Sequence, residues 1–189
     1  MNPLRKNLEA SISIRQEMLN DQALHLTLDR VLDLIEEAFR AGGKLLLCGN
    51  GGSAADAQHI AAELSGRFTK DRAPLFAEAL HVNTSYLTAV ANDYGYEEVY
   101  ARMTEAMGKE GDVLIGISTS GNSENVFRAM QTAKQNGMKT VALVGAEPGK
   151  LGAVADHILI VPSKDTARIQ EVHITLGHSI CESLEDRLF

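Results

Sequence analysis

The chain has no tryptophan, two cysteines and four prolines in 189 residues, and no apolar run near the roughly 18 residues that span a bilayer. Its two cysteines, Cys48 and Cys181, stand far apart, outside any Cys-x-x-Cys and in apolar surroundings, which reads as two buried free thiols rather than a disulfide. The start, Met1-Asn2-Pro3-Leu4-Arg5-Lys6-Asn7-Leu8-Glu9, lacks the apolar centre of a secretion signal, so a cytoplasmic protein without a membrane partner is expected. Basic excess is also missing: 18 Lys and Arg against 25 Asp and Glu leave a net charge of −7, which disfavours nucleic acid or an anionic membrane as the main partner. No Gly-x-x-x-x-Gly-Lys-Ser/Thr occurs and no Gly-x-Gly-x-x-Gly follows a strand, so neither a P-loop nucleotide nor a dinucleotide is indicated.

What is present is the composition of an ordinary globule, 44 % apolar and 23 % charged, long enough as one domain over 1–189 to bury about 70 % of its unfolded surface. Residues 4–41 carry apolar positions at helical spacing, among them Leu28, Val31, Leu32, Ile35 and Phe39, and stop at Gly42-Gly43. They read as an N-terminal helical pair, within residues 1–41, broken near Asn20-Asp21. Beyond it, over 44–189, short apolar runs alternate with helical stretches: 44–48, 75–80, 113–117, 140–144 and 157–161 are the strands. Five buried strands separated by helices predict an α/β fold with a five-stranded parallel sheet, closed by a long helix over 166–188. The N-terminal pair exceeds the cover one sheet needs, so its apolar faces pack either on another subunit or on the same domain.

Two loops carry the first chemical signal. Ser118-Thr119-Ser120-Gly121-Asn122-Ser123 lies between a strand and a helix, so hydroxyls, free N–H groups and a helix N-terminus meet in one place, a cradle for a small phosphomonoester. Gly49-Asn50-Gly51-Gly52-Ser53 repeats the arrangement after the first strand; alone it is equally a tight turn, but two such loops at strand ends can face one crevice.

Acid–base candidates follow. His59 and Glu63 are four residues apart on the helix after the glycine loop, a spacing that suits one metal ion, one substrate or a plain surface pair. Glu63 in apolar company suits a general base. Gln170 and His178 lie on the last helix, eight residues or about 12 Å apart, so they meet at one site between them or serve different regions of a crevice. Asn92-Asp93 reads as a turn or a helix cap.

Taken in order, Cys48 to Ser53, Asn92-Asp93, Gly116 to Ser123 and Arg168-Ile169-Gln170-Glu171-Val172-His173 resemble the phosphoheptose isomerases of the sugar isomerase (SIS) superfamily, over nearly the whole chain. The resemblance implies a single SIS domain and a ketose–aldose isomerase acting on sedoheptulose 7-phosphate through an enediol, the first step toward bacterial heptose. It implies Glu63 as the base with His178 as its partner. Asn50, Gly51, Gly52, Ser53, Glu63, Asn92, Asp93, Ser118, Thr119, Ser120, Ser123 and Gln170 match substrate contacts, and His59, Glu63, Gln170 and His178 match positions that bind zinc. It further implies a homotetramer with sites near subunit boundaries, which gives the N-terminal helices a role. One position departs: Ala167 stands where some members carry aspartate, with Asp165 nearby. A related tetrameric adaptor that binds the replication initiator DnaA shares the fold but lacks the counterparts of Glu63 and His178, and both are present here.

Overall fold

A computed structural model describes residues 2–189. The first helix, α1 (Pro3–Leu19), is started by the Asn2 side chain accepting from the Leu4 N–H, with Pro3 in the first turn where its missing donor costs nothing. The expected break at Asn20-Asp21 is there, because Asp21 caps α2 (Gln22–Arg40) by accepting from the Leu24 N–H at 3.1 Å. That helix ends in paired bonds from Gly43 N–H to the Ala38 carbonyl and from Gly42 N–H to the Phe39 carbonyl, a glycine stop that satisfies two otherwise orphaned acceptors.

The remaining elements alternate: β1 (Leu45–Gly49), α3 (Gly52–Ser65), β2 (Ala77–Ala79), α4 (Thr84–Asp93), α5 (Val99–Met107), β3 (Val113–Ser118), α6 (Glu124–Gln135), β4 (Lys139–Val144), β5 (His157–Ile160) and α7 (Thr166–Leu188). The five strands form one parallel sheet in the order β2-β1-β3-β4-β5. Strand bounds match the sequence reading within a residue except at β2, where the run 75–80 pairs only over Ala77–Ala79.

Alternation along the strands splits the core in two. Leu45, Leu47, Val113, Ile115, Val141 and Leu143 pack under α1, α2, α3 and α7, while Leu46, Cys48, Leu114, Ala142 and Val144 pack against α4, α5 and α6. Both cysteines are buried and unpaired, and burial raises both thiols well above their ordinary range. No helix among the described residues is long and apolar enough to cross a membrane.

Topology positions the site. From β1 the chain steps through α3 to β2 on one side, then returns past β1 through α4 and α5 to β3 on the other. Connections therefore diverge between β1 and β3, the place where a parallel sheet leaves a crevice at its carboxyl ends. The loops after Gly49 and after Ser118 leave the sheet there side by side, Gly49 lying level with Ile117.

Candidate active site

The β3 loop gathers three hydroxyls: Ser118 Oγ lies 2.9 Å from Ser123 Oγ and 3.5 Å from Ser120 Oγ. Ser118 is buried, Thr119 and Ser123 are half-buried, and Ser120 is exposed at the mouth. Ser123 stands at the N-cap of α6 yet its side chain bonds Ser118 Oγ rather than capping the helix, so the N–H groups of Glu124 and Asn125 at the helix start are left to meet an anion.

The β1 loop is held rigid beside it. Gly51 takes φ +55, a conformation side chains resist, and the Ser53 N–H bonds the Asn50 carbonyl as α3 begins with Ser53 buried. Asn50 and Asn125 exchange a reciprocal amide pair, both bonds 2.9 Å, which ties the β1 loop to the first turn of α6. The Tyr96 hydroxyl adds a bond to Asn50 Oδ1 at 3.2 Å, and the Tyr100 hydroxyl donates to the Gly49 carbonyl at 2.5 Å. Asn92 and Asp93 occupy the last turn of α4, exposed, with Asn92 Nδ2 donating to Asp93 Oδ1 at 2.8 Å. Tyr96, three residues on, carries that turn to the β1 loop.

A second cluster lies farther along α3, which runs beside α7 in the same direction. His59 Nε2 and His178 Nε2 are 2.9 Å apart, a bond in which one ring donates and the other accepts, and Glu63 Oε1 is 3.4 Å from His59 Nε2. Phe68 stacks on His178 from the other side, ring centres 5.5 Å apart and planes 29° apart. Asp56, one turn before His59, has a buried Oδ2 without a hydrogen-bond partner. Burial raises its pKa, and the nearby His59 and His178 only partly oppose that rise.

His59, Glu63 and His178 are thus brought together, whereas Gln170 is not with them. Its amide lies over the β1 loop, so close that a Cβ at Gly52 would come within 2.5 Å of Gln170 Nε2. Gly52 and His59 are about 10 Å apart along α3, so one chain places Gln170 beside the β1 loop and His178 beside His59 and Glu63. Two imidazole nitrogens and a carboxylate are the donor chemistry that zinc takes. The two rings bond each other rather than splay around a common point, and no three His, Cys, Asp or Glu among the described residues form a ready-made metal cluster.

Asn125, Tyr96, Tyr100, Asp56 and Phe68 had escaped the sequence reading. Asn125 alone offered a signal, a polar residue two positions after the hydroxyl loop; the others lie on helices or in loops whose spacing says nothing of the site.

Comparison with known proteins places this geometry in a lineage. The SIS domain model matches residues 8–145, which include the β1 loop, His59, Glu63 and the hydroxyl loop but stop short of α7. A phosphoheptose isomerase from Roseiflexus sp. is 54 % identical over 182 residues, 96 % of this chain and 91 % of that protein. Among solved structures, the phosphoheptose isomerase of Neisseria gonorrhoeae superposes with a TM-score of 0.91 at 42 % identity, covering 97 % of each chain. That of Francisella tularensis gives 0.93 at 36 % identity, covering 98 % of this chain and 100 % of the other. Identity at this level over nearly the whole chain, with the fold in common, makes the chain a member of the phosphoheptose isomerase family of SIS-domain proteins.

Proposed function

We propose that the chain interconverts sedoheptulose 7-phosphate and D-glycero-D-manno-heptose 7-phosphate, supplying heptose for bacterial surface polysaccharide from the cytoplasm. The observation that carries the reading is the convergence of Glu63, His59 and His178 at one end of α3, with the hydroxyl loop of Ser118, Ser120 and Ser123 gathered at the sheet end near the start of that helix. The spacing of about 10 Å between Gly52 and His59 is one that an extended seven-carbon sugar phosphate spans. A non-catalytic adaptor has no use for the acid–base end.

The phosphate is held by Ser118, Thr119, Ser120 and Ser123 with the N-terminus of α6, and by Ser53 at the start of α3. Asn50, Gly51, Gly52, Asn92, Asp93 and Gln170 meet the sugar hydroxyls. With the far end anchored, the reacting carbons are delivered to Glu63 without a search in solution. The Glu63 carboxylate takes a proton from C1 of the ketose, the C1–H electron pair becomes the C1=C2 bond, and the C2 carbonyl electrons move onto its oxygen. Return of the proton to C2 completes the carbon transfer, while His178 carries the hydroxyl proton from O1 to O2, so that no atom is gained or lost. His59, bonded to His178, fixes that ring. His59, Glu63 and His178 would hold a zinc ion, which would supply Lewis-acid polarisation of substrate oxygens; a homotetramer, which we propose as the assembly, would let Gln170 of a neighbouring subunit join that set.

A coupled assay on sedoheptulose 7-phosphate, run with and without a chelator, tests the reading. We expect turnover that falls on chelation and recovers with zinc. A purified, folded protein that leaves the ketose unchanged in the presence of zinc refutes the isomerase reading, and a rate indifferent to chelation refutes the zinc proposal.

A further inference from the structure

The segment between α3 and β2, residues 66–76, has almost no secondary structure, yet one carboxylate from the far end of α7 organises it. Glu185 is fully buried and accepts from the backbone N–H groups of Phe68, Thr69 and Lys70 at 2.8, 2.8 and 2.9 Å, from the Thr69 hydroxyl at 2.9 Å and from Arg72 Nε at 2.9 Å. Arg72 is equally enclosed, its side chain 2 % exposed. Its guanidinium turns to the end of α3, where Nη2 donates to the Glu63 carbonyl at 3.0 Å and Nη1 to the Leu64 carbonyl at 2.7 Å. These are carbonyls that a helix end leaves without partners, and a cation suits that end.

Two consequences reach the acid–base cluster. Phe68, fixed by its backbone bond to Glu185, is the residue stacked on His178. Arg72, paired with Glu185, holds the backbone of Glu63 itself. A carboxylate among five donors with no role beyond solubility belongs at the surface; this one is enclosed, and two of the residues it holds, Phe68 and Arg72, touch members of the site.

We propose that Glu185 is a positioning residue of the acid–base site, setting Phe68 against the His178 ring and Arg72 against the Glu63 backbone through the strap 66–76. The proposal rests on the isomerase reading for its effect on rate, and on geometry alone for its effect on His178. Glu185→Gln keeps the shape but turns an amide N–H2 toward donors, so the strap loosens. Turnover per folded molecule falls roughly tenfold or more with KM unchanged, because reacting groups are displaced while the phosphate loops are not. Phe68→Leu, which leaves the carboxylate and its donors intact, lowers kcat similarly, and the double variant loses no more than the worse single one.

The His178 ring resonances in an NMR spectrum supply a readout that lost stability does not move. They shift in Phe68→Leu as the stacked ring is removed, and shift in the same sense in Glu185→Gln. Should Glu185→Gln fail to fold, Glu185→Asp, which keeps the charge and withdraws it by one methylene, takes its place. Unmoved His178 resonances in the folded Glu185 variant, or an unchanged kcat, overturn the proposal. Wild-type protein that turns over no sedoheptulose 7-phosphate sinks the isomerase reading instead and leaves the resonance comparison to decide the positioning role.

Discussion

His173 on α7 is fully buried, its Nε2 3.3 Å from the Val144 carbonyl and its Nδ1 without a partner. Burial lowers its pKa from 6.5 to about 4, the carbonyl contact opposing that only in part. The folded chain therefore binds fewer protons here than the unfolded chain between those values, so stability present above pH 6.5 is lost as pH falls toward 4. Denaturant midpoints measured across that window should decline, and less steeply in His173→Leu. Glu185 works lower on the scale: burial alone would raise its pKa, but the Lys70, Phe68 and Thr69 N–H groups and the Thr69 hydroxyl outweigh it and bring the value from 4.5 to about 2. Its contribution is present above pH 4.5 and vanishes toward pH 2. At Gly52 an added methyl meets the flexible end of Gln170 rather than backbone, so Gly52→Ala should fold normally, displace that amide and raise KM by roughly fivefold, a hydrogen bond's worth of affinity. An unchanged KM in a steady-state assay removes Gln170 from the sugar contacts.

At the scale of elements, the β1 loop and the start of α6 after the hydroxyl loop are tied into one unit because Asn125 of α6 grips Asn50 of the β1 loop. Asn125→Ala strands the Asn50 amide half-buried at a cost of about 1–3 kcal/mol, which lowers Tm and weakens inorganic phosphate binding together; calorimetry shows both, and a fall in Tm with phosphate affinity intact would separate the clamp from the cradle. Much at this scale is legible in the sequence. The strands announce themselves as apolar runs, the α1–α2 break as Asn20-Asp21, and both candidate loops as glycine and hydroxyl clusters between strand and helix. What stays hidden is pairing across the chain: 75 residues separate Asn50 from Asn125 and 113 separate Arg72 from Glu185. No local period encodes such contacts, and a Glu near a C-terminus reads as solvated until the strap is folded over it. The separation of Gln170 from His178 is likewise invisible in spacing, which left both arrangements open; the parallel run of α3 beside α7 decides it within one chain.

For the whole molecule, Leu4, Leu8 and Ile12 recur every four residues on the outer face of α1 and are exposed at 64 %, 53 % and 64 %. An exposed apolar stripe of this kind suits a contact with a second copy of the chain, which the proposed homotetramer requires. Ile12→Asp should shift the mass seen by light scattering toward smaller species at equal concentration, and an unshifted mass would remove α1 from the contact. The central claim concerns catalysis by the converged cluster, and it is tested most directly by Glu63→Gln, which keeps size and geometry while removing the base. With sedoheptulose 7-phosphate at saturation, kcat should drop by roughly 10²–10⁴-fold relative to wild type while the sugar phosphate still binds. Turnover at the wild-type rate in the folded variant contradicts the account.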